Sequence, residues 1–257
     1  MLVFIMTIST DSFAVDLRFA AELINFNYEE TDISGNTLNQ EAGFIPGITI
    51  AAAYPYQRIN NTVELSVFDG QVDYTGRTQV GQSHETTTDT SIYRLQYKLS
   101  WFPLSTKNAL YGKIYWQQWD RDIQPANGVL GLFERYQWWT IEAGVQFPFI
   151  KNEAQNFLIE LGMLTTFNST ILIDLSDVGF GDPTLDLGND IGFSGELKYE
   201  FRQARNSSLQ FGVQLKSWGF GRSNSKTLSN GNTTITITEP DSTTIQTTIS
   251  ACYIHHF

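Results

Sequence analysis

Apolar and polar residues alternate with a period of two along most of this chain, in segments of roughly nine to thirteen residues. Tyr93, Leu95, Tyr97, Leu99 and Trp101 alternate with Arg94, Gln96, Lys98 and Ser100. Ile191, Phe193, Leu197, Tyr199 and Phe201 alternate with Gly192, Ser194, Glu196, Lys198 and Glu200. Leu209, Phe211, Val213 and Leu215 alternate with Gln210, Gly212, Gln214 and Lys216. Weaker versions run through Val15–Asn25, Gly47–Tyr54, Thr62–Phe68, Leu110–Trp119, Trp138–Phe147, Phe157–Thr166 and Ile245–Phe257. Successive side chains of a strand point to opposite faces, so each segment reads as a strand with one oily and one polar side. Together they predict ten strands.

The connections alternate in length. Short polar turns are expected near Gln57–Asn61, Leu104–Asn108, Lys151–Asn156 and Gln203–Ser208, whose starts lie 47, 47 and 52 residues apart. Tyr54-Pro55, Phe102-Pro103 and Phe147-Pro148 close three strands, where the missing proline amide costs the ladder nothing. Long connections rich in Gly, Thr, Asn and Asp are expected near 27–43, 69–91, 120–135, 168–190 and 219–243. In the last of these Asn230-Gly231, followed by alternation over Thr234–Thr238, predicts a hairpin projecting beyond the main sheet.

Alternation alone fits a soluble sandwich as well as a barrel in lipid. Segment length separates them: a membrane-spanning strand needs about 9–11 residues, against about 5–6 for the average strand. Aromatic residues also crowd the segment ends, as rings at a headgroup layer do. Tyr54, Tyr56, Trp101, Phe102, Phe147, Phe149, Phe157, Phe201 and Tyr253 would form a lower girdle. Phe26, Tyr28, Trp116, Trp119, Tyr136, Trp138, Trp139, Phe193 and Trp218 would form an upper one. A mean hydropathy of −0.20 is what cancelling faces produce, and no stretch after the N-terminus has the ~18–20 apolar residues of a helical span. The reading is all-β: a closed antiparallel transmembrane up-and-down β-barrel of about ten strands, with short turns on the periplasmic side and five long loops outside.

The chain ends Ile249, Ala251, Tyr253, His255, Phe257 at alternate positions. This ending resembles the C-terminal assembly signal of Gram-negative outer-membrane barrel proteins, with Tyr253 and Phe257 carrying the match and His255 departing from it. The resemblance implies recognition by the barrel-insertion machinery. Asp73-Tyr74-Thr75-Gly76-Arg77-Thr78-Gln79, Trp119-Asp120-Arg121-Asp122-Ile123 and Tyr136-Gln137-Trp138-Trp139 are similar to an uncharacterised, porin-like group of proteobacterial outer-membrane proteins. That resemblance implies a location and no activity.

Residues 1–14 read as a truncated export signal, apolar over Leu2–Ile8 and ending Ser12-Phe13-Ala14. Residues 15–257 read as a single domain. Twenty-seven acids against 16 Lys and Arg give a net charge of −11, and an acidic chain without a basic stripe argues against nucleic acid as a partner. One cysteine, Cys252, leaves no internal disulfide framework.

The polar parity of the strands carries charge of both signs. Glu22, Glu64, Arg94, Lys98, Lys113, Glu142, Glu160, Glu196, Lys198 and Lys216 are expected to line the lumen, together with Asp16, Arg18, Glu200 and Arg202. Seven acids facing seven bases suggest an interior filled by ion pairs, with Gly47, Thr49, Ala51, Ala53, Gly144, Gly162 and Gly212 leaving some room. Ten strands lie near the filled end of the barrel range. A narrow porin-like channel for small solutes is the alternative.

No catalytic residue is expected. Omptin proteases of the same strand number use paired aspartates and an Asp–His couple at the outer rim, whereas His84, beside Ser83 and Glu85, is a lone loop histidine here. A general base needs a partner within hydrogen-bond reach. His255 and His256 adjoin in one strand and face opposite sides. Asp174, Asp177, Asp182, Asp186 and Asp190, interleaved with glycines, form a weak Ca²⁺ candidate. The generic acidic surface is the preferred reading, bridged by divalent ions to lipopolysaccharide. The expectation is therefore a non-enzymatic barrel without cofactors, structural or surface-binding through its loops. Its expected partners are outer-membrane lipid and lipopolysaccharide; an outer-leaflet enzyme is the weakest reading.

Overall fold

The computed structural model describes residues 15–77, 81–103, 108–152 and 154–257; the leader-like segment 1–14, Thr78, Gln79 and most of the Leu104–Asn108 turn lie outside them. Thirteen strands occur among the described residues: β1 Asp16–Thr31, β2 Thr37–Tyr56, β3 Ile59–Arg77, β4 Ser83–Trp101, β5 Ala109–Ile123, β6 Leu132–Lys151, β7 Gln155–Ile173, β8 Thr184–Asp186, β9 Ile191–Ala204, β10 Ser207–Phe220, β11 Lys226–Ser229, β12 Thr234–Ile237 and β13 Asp241–His256. Ten of them form a ring, each antiparallel to its neighbours: β1 to β7 in chain order, then β9, β10 and β13, which pairs back onto β1. Closure leaves the ring without an unpaired edge. β8 adds three rungs to β7, and β11 and β12 form a separate two-stranded hairpin around Asn230-Gly231.

The ring strands are 14 to 20 residues long, well beyond the about 9–11 needed to span a bilayer. The connections expected at 27–43 and 69–91 are therefore mostly strand: β1 runs to Thr31 and β2 starts at Thr37, while β3 runs to Arg77 and β4 starts at Ser83. The 120–135 connection shrinks in the same way, with β5 reaching Ile123 and β6 beginning at Leu132. Alternation does not stop where the sequence reading ended these strands; its phase slips. On β1 the apolar parity is outward at Phe19 and Leu23, then inward at Ile24, Phe26 and Tyr28. On β3 it is outward at Val63 and Leu65 and inward at Phe68, Val72 and Tyr74.

The slip divides the cylinder into two zones. In the periplasmic half the outward face is apolar, with Ile48, Ile50, Leu65, Leu95, Leu161 and Val213 between 47 and 62% exposed. In the extracellular half the same outward rows carry Asn25, Asn27, Asp69, Gln71, Asp73, Asp89 and Asp122. Inside, this half is a packed core of Ile24, Phe26, Tyr28, Ile45, Phe68, Ile92, Trp119, Tyr136, Trp138, Trp218 and Phe220. The lower half is built for lipid and the upper half as a water-soluble barrel. Phe26, Tyr28, Trp119, Tyr136, Trp138 and Trp218 are thus interior and not an upper girdle, whereas Trp139 and Phe193 do face outward at 39 and 60% exposure. An aromatic ring at a strand end suits either a headgroup layer or a core, and only the inward parity distinguishes them.

Two glycines also have a different role from the one expected. A Cβ at Gly47 would overlap the Phe68 ring, and one at Gly162 would overlap the Tyr111 hydroxyl. These positions accommodate inward aromatic rings, so they hold the packing together instead of leaving space.

Candidate functional site: the barrel interior

Period-two strands bring the polar parity of the lower half onto one inner wall. Lys98 on β4 reaches across the lumen to Glu160 on β7, with Nζ at 2.6 and 2.7 Å from the two carboxylate oxygens. Lys113 on β5 lies 2.9 Å from Glu142 on β6 and 3.8 Å from Glu160. Lys198 on β9 lies 2.9 Å from Glu196 and 3.4 Å from Glu160. The Tyr111 and Ser194 hydroxyls donate to Glu142, and the Gln146 amide donates to Glu160. Glu142 and Glu160 are buried at 0 and 2% exposure. Carboxylates taken that far from water persist as ions only with such partners.

Beside this network lies a cavity of about 400 Å³. Asn60, Phe102, Pro148, Asn156 and Glu200 surround its periplasmic end, and Glu22, Glu64, Arg94, Gln96 and Lys216 its deep end. Lys98, Lys113, Glu160, Glu196 and Lys198 line it between them. The interior is therefore not a continuous ionic plug. A charged vestibule faces the periplasm, and the aromatic core stands between it and the cell exterior.

Above the membrane a second charged cluster sits within that core. Arg121 on β5, 1% exposed, meets Glu41 through Nε at 2.8 Å, and Glu134 and Glu30 through Nη1 at 2.6 and 3.2 Å. Thr88 and Tyr28 donate to Glu41 and Glu30, and Tyr136 donates to Glu239 at 2.7 Å. Trp119 stacks on Tyr136 and Tyr136 on Phe220. Three acids share one guanidinium and a fourth, Glu239, lies close by on Tyr136, so protons make up part of the balance. Burial pushes the Glu134 carboxyl up to about 7 against the pull of Arg121, and burial beside Glu30 and Glu134 lifts Glu239 well above the carboxylate range. Sequence reasoning assigned all five residues to loops. The signal was in the continued alternation of Phe26, Tyr28 and Glu30, and of Trp119, Arg121 and Ile123.

One histidine is placed unlike the sequence expectation. His84 is not in a solvated loop but near the start of β4, 7% exposed and edge-on to Tyr74. His255 and His256 do take opposite sides; the His255 ring lies 4.4 Å from that of Phe257. His256 Nδ1 lies 2.7 Å from Asp16 Oδ1, and its Nε2 lies 2.8 Å from Ser208 Oγ. This is the contact order of a nucleophile, a base and its orienting acid. Ser208 is 1% exposed, however, so its hydroxyl offers no approach to a substrate carbonyl. The three residues link β1, β13 and β10 across the closing seam.

The five loop aspartates do not converge. Asp174 accepts hydrogen bonds from the Ser176 amide and hydroxyl, which hold its carboxyl below the usual range. Asp182 accepts from the Leu175 amide, Asp186 from the Asn224 side chain and Asp190 from the Ile191 amide. Among the described residues no three His, Cys, Asp or Glu side chains could hold a metal ion. On the outer wall, Tyr253 and Phe257 are 41 and 69% exposed at the end of β13.

No family model matches the sequence, and no curated protein resembles it. Among solved structures, the outer membrane protease OmpT from Escherichia coli superposes with a TM-score of 0.63 at 10% identity, over 100% of this chain and 99% of that one. The translocator domain of the autotransporter NalP from Neisseria meningitidis gives 0.46 at 10% identity over 92 and 88%. The outer membrane protein OprG from Pseudomonas aeruginosa gives 0.42 at 10% identity over 95 and 96%. The likeness to OmpT is one of fold. A closed ten-strand barrel wearing an apolar belt is an integral protein of the bacterial outer membrane.

Proposed function

We propose that this protein is a non-conducting, non-enzymatic outer-membrane barrel whose rigid extracellular half serves as a surface-binding or structural platform. The observation that carries the reading is the packed core above the membrane, where Phe26, Trp119, Tyr136, Trp138 and Phe220 meet in mutual ring contacts of 4.9 to 5.9 Å. Packed aromatic cores exclude water-sized passages. Binding then falls to the outer wall, the three shortened connections, and the two long ones at 174–190 and 221–240. The outward acids Asp69, Asp73, Asp89 and Asp122 support contact with lipopolysaccharide through divalent ions. Exposed Tyr253 and Phe257 support recognition by the barrel-insertion machinery. The buried positions of His84 and Ser208 speak for a role other than catalysis.

The vestibule favours one second reading, a narrow channel that opens when the extracellular core rearranges. Conductance in planar bilayers decides between them. The platform reading expects no discrete current steps from the refolded protein, and steady single-channel openings would overturn it.

A further inference from the structure

Among the charges that line the cavity, Asp16, Arg18, Lys98, Lys113, Glu160, Glu196 and Lys198 have an opposite charge within ion-pair distance, whereas Arg94, Lys216, Glu22 and Glu64 at the deep end, and Glu200 at the periplasmic end, have none among the described residues. Arg94 is 6% exposed and Lys216 3%. Arg94 Nε donates to Gln117 Oε1 at 3.1 Å, but its Nη2 is buried without a partner. Lys216 Nζ stands 4.7 Å from the centre of the Tyr115 ring, and Arg94 Cζ stands 5.9 Å from the same ring. β4 and β10 are five places apart in a ring of ten, so they form opposite walls. From opposite walls the two cations approach the same Tyr115 ring. Glu22 on β1 lies within electrostatic reach of both Glu64 on β3 and Arg94. All four side chains line the cavity.

Two cations drawn together in a confined space repel, as do two carboxylates, and their burial is offset only when opposite charge is brought to them. A simple anion would serve the Arg94–Lys216 side and worsen the Glu22–Glu64 side; a simple cation would do the reverse. A molecule bearing both charges serves both. The cavity is about 400 Å³, near the small end of the ~300–1,000 Å³ range of ligand sites. The aromatic core lies on the extracellular side of the site, so the way in is from the periplasm.

We propose that the deep end of the vestibule binds a small zwitterion of amino-acid size, its carboxylate between Arg94 and Lys216 and its ammonium toward Glu22 and Glu64. The site provides carboxylate recognition through a guanidinium fork and an ammonium. It does not depend on the barrel being closed to ions.

The test is calorimetric titration of the refolded barrel in micelles with L-alanine, using acetate and methylammonium as single-charge probes. The expected result is saturable binding of L-alanine, with each single-charge probe weaker by about tenfold or more. Lys216→Gln and Glu64→Gln should each weaken L-alanine by about tenfold, while Lys226→Gln on the exposed hairpin leaves it unchanged. No saturable binding of L-alanine, equal affinity for the three probes, or undiminished binding by folded Lys216→Gln and Glu64→Gln would overturn the proposal. Should a variant fail to regain heat-modifiable migration, the three-probe comparison on the native protein decides.

Discussion

Asp16 at the start of β1 and His256 at the end of β13 are register partners 240 positions apart, and their side chains meet at 2.7 Å. The contact closes the cylinder at its periplasmic rim, and Ser208 extends it to β10. Replacing His256 with Phe removes two side-chain hydrogen bonds, each worth about 0.5–1.5 kcal/mol net. The expected result is a lower denaturant midpoint in micelles with the barrel still formed. A fluorophosphonate probe should leave Ser208 unlabelled in the native protein; a covalent adduct there would show that the trio does chemistry.

Glu142 is buried at 0% with Lys113 at 2.9 Å, and the Tyr111 and Ser194 hydroxyls also point at it. Glu142→Gln leaves Lys113 without its nearest counter-charge, which should cost about 3–5 kcal/mol. Lys113→Met combined with Glu142→Leu removes both charges and should recover most of that loss. Unfolding midpoints for the single and double variants check the difference, and equal destabilisation would contradict the pairing.

The Arg121 cluster makes stability depend on pH. Glu134 is raised in the folded protein to about 7 from an ordinary value of 4.5, so the folded state holds a proton that the unfolded chain releases. Its contribution is full below about 4.5 and is lost as pH rises through about 7. Glu239, lifted well above the carboxylate range by burial, acts in the same direction. Unfolding at pH 5 and pH 8 should show a less stable barrel at pH 8, and Glu134→Gln should flatten that difference. A barrel more stable at pH 8 contradicts the assignment.

The aromatic plug predicts a gain of conduction on its removal. Trp119, Tyr136 and Phe220 form a continuous stack with centroids 4.9 and 5.9 Å apart. Converting all three to Ala should connect the vestibule to the exterior and produce current steps in planar bilayers, where none are expected from the native protein. Each such truncation also costs about 3–5 kcal/mol, so heat-modifiable migration must first show that the variant folds.

Gly47 lies beneath the Phe68 ring with no room for a methyl group. Gly47→Val should displace Phe68 and destabilise the barrel by about 1–3 kcal/mol, the usual cost of overpacking. Gly35, whose Cβ would meet nothing, has a φ of +79°. Substituting Asn there should cost less, because Asn tolerates the left-handed region.

The ring's strand count, antiparallel order, projecting hairpin and the outward rings of Tyr56, Trp101, Phe149 and Tyr253 in the lower girdle were legible in the sequence because period-two alternation encodes which face each side chain takes, whereas Phe102, expected in that girdle, lines the vestibule. Leu95 against Lys98, or Val213 against Lys216, states its environment locally. Where strands end was not legible. At Leu23–Ile24 and Val67–Phe68 two apolar residues adjoin and the pattern changes phase; taken locally, that looks like the end of a strand. The change marks the headgroup boundary, where water replaces lipid outside and oily side chains turn inward. The sequence determined alternation on either side of each slip, and only the closed cylinder decided which parity was interior in each half. The same limit applies to Arg121, Glu30, Glu41, Glu134 and Glu239. Their charges were plain in the chain, but their convergence came from strands whose rungs bring positions up to 209 residues apart onto one inner wall, a distance that no local periodicity records.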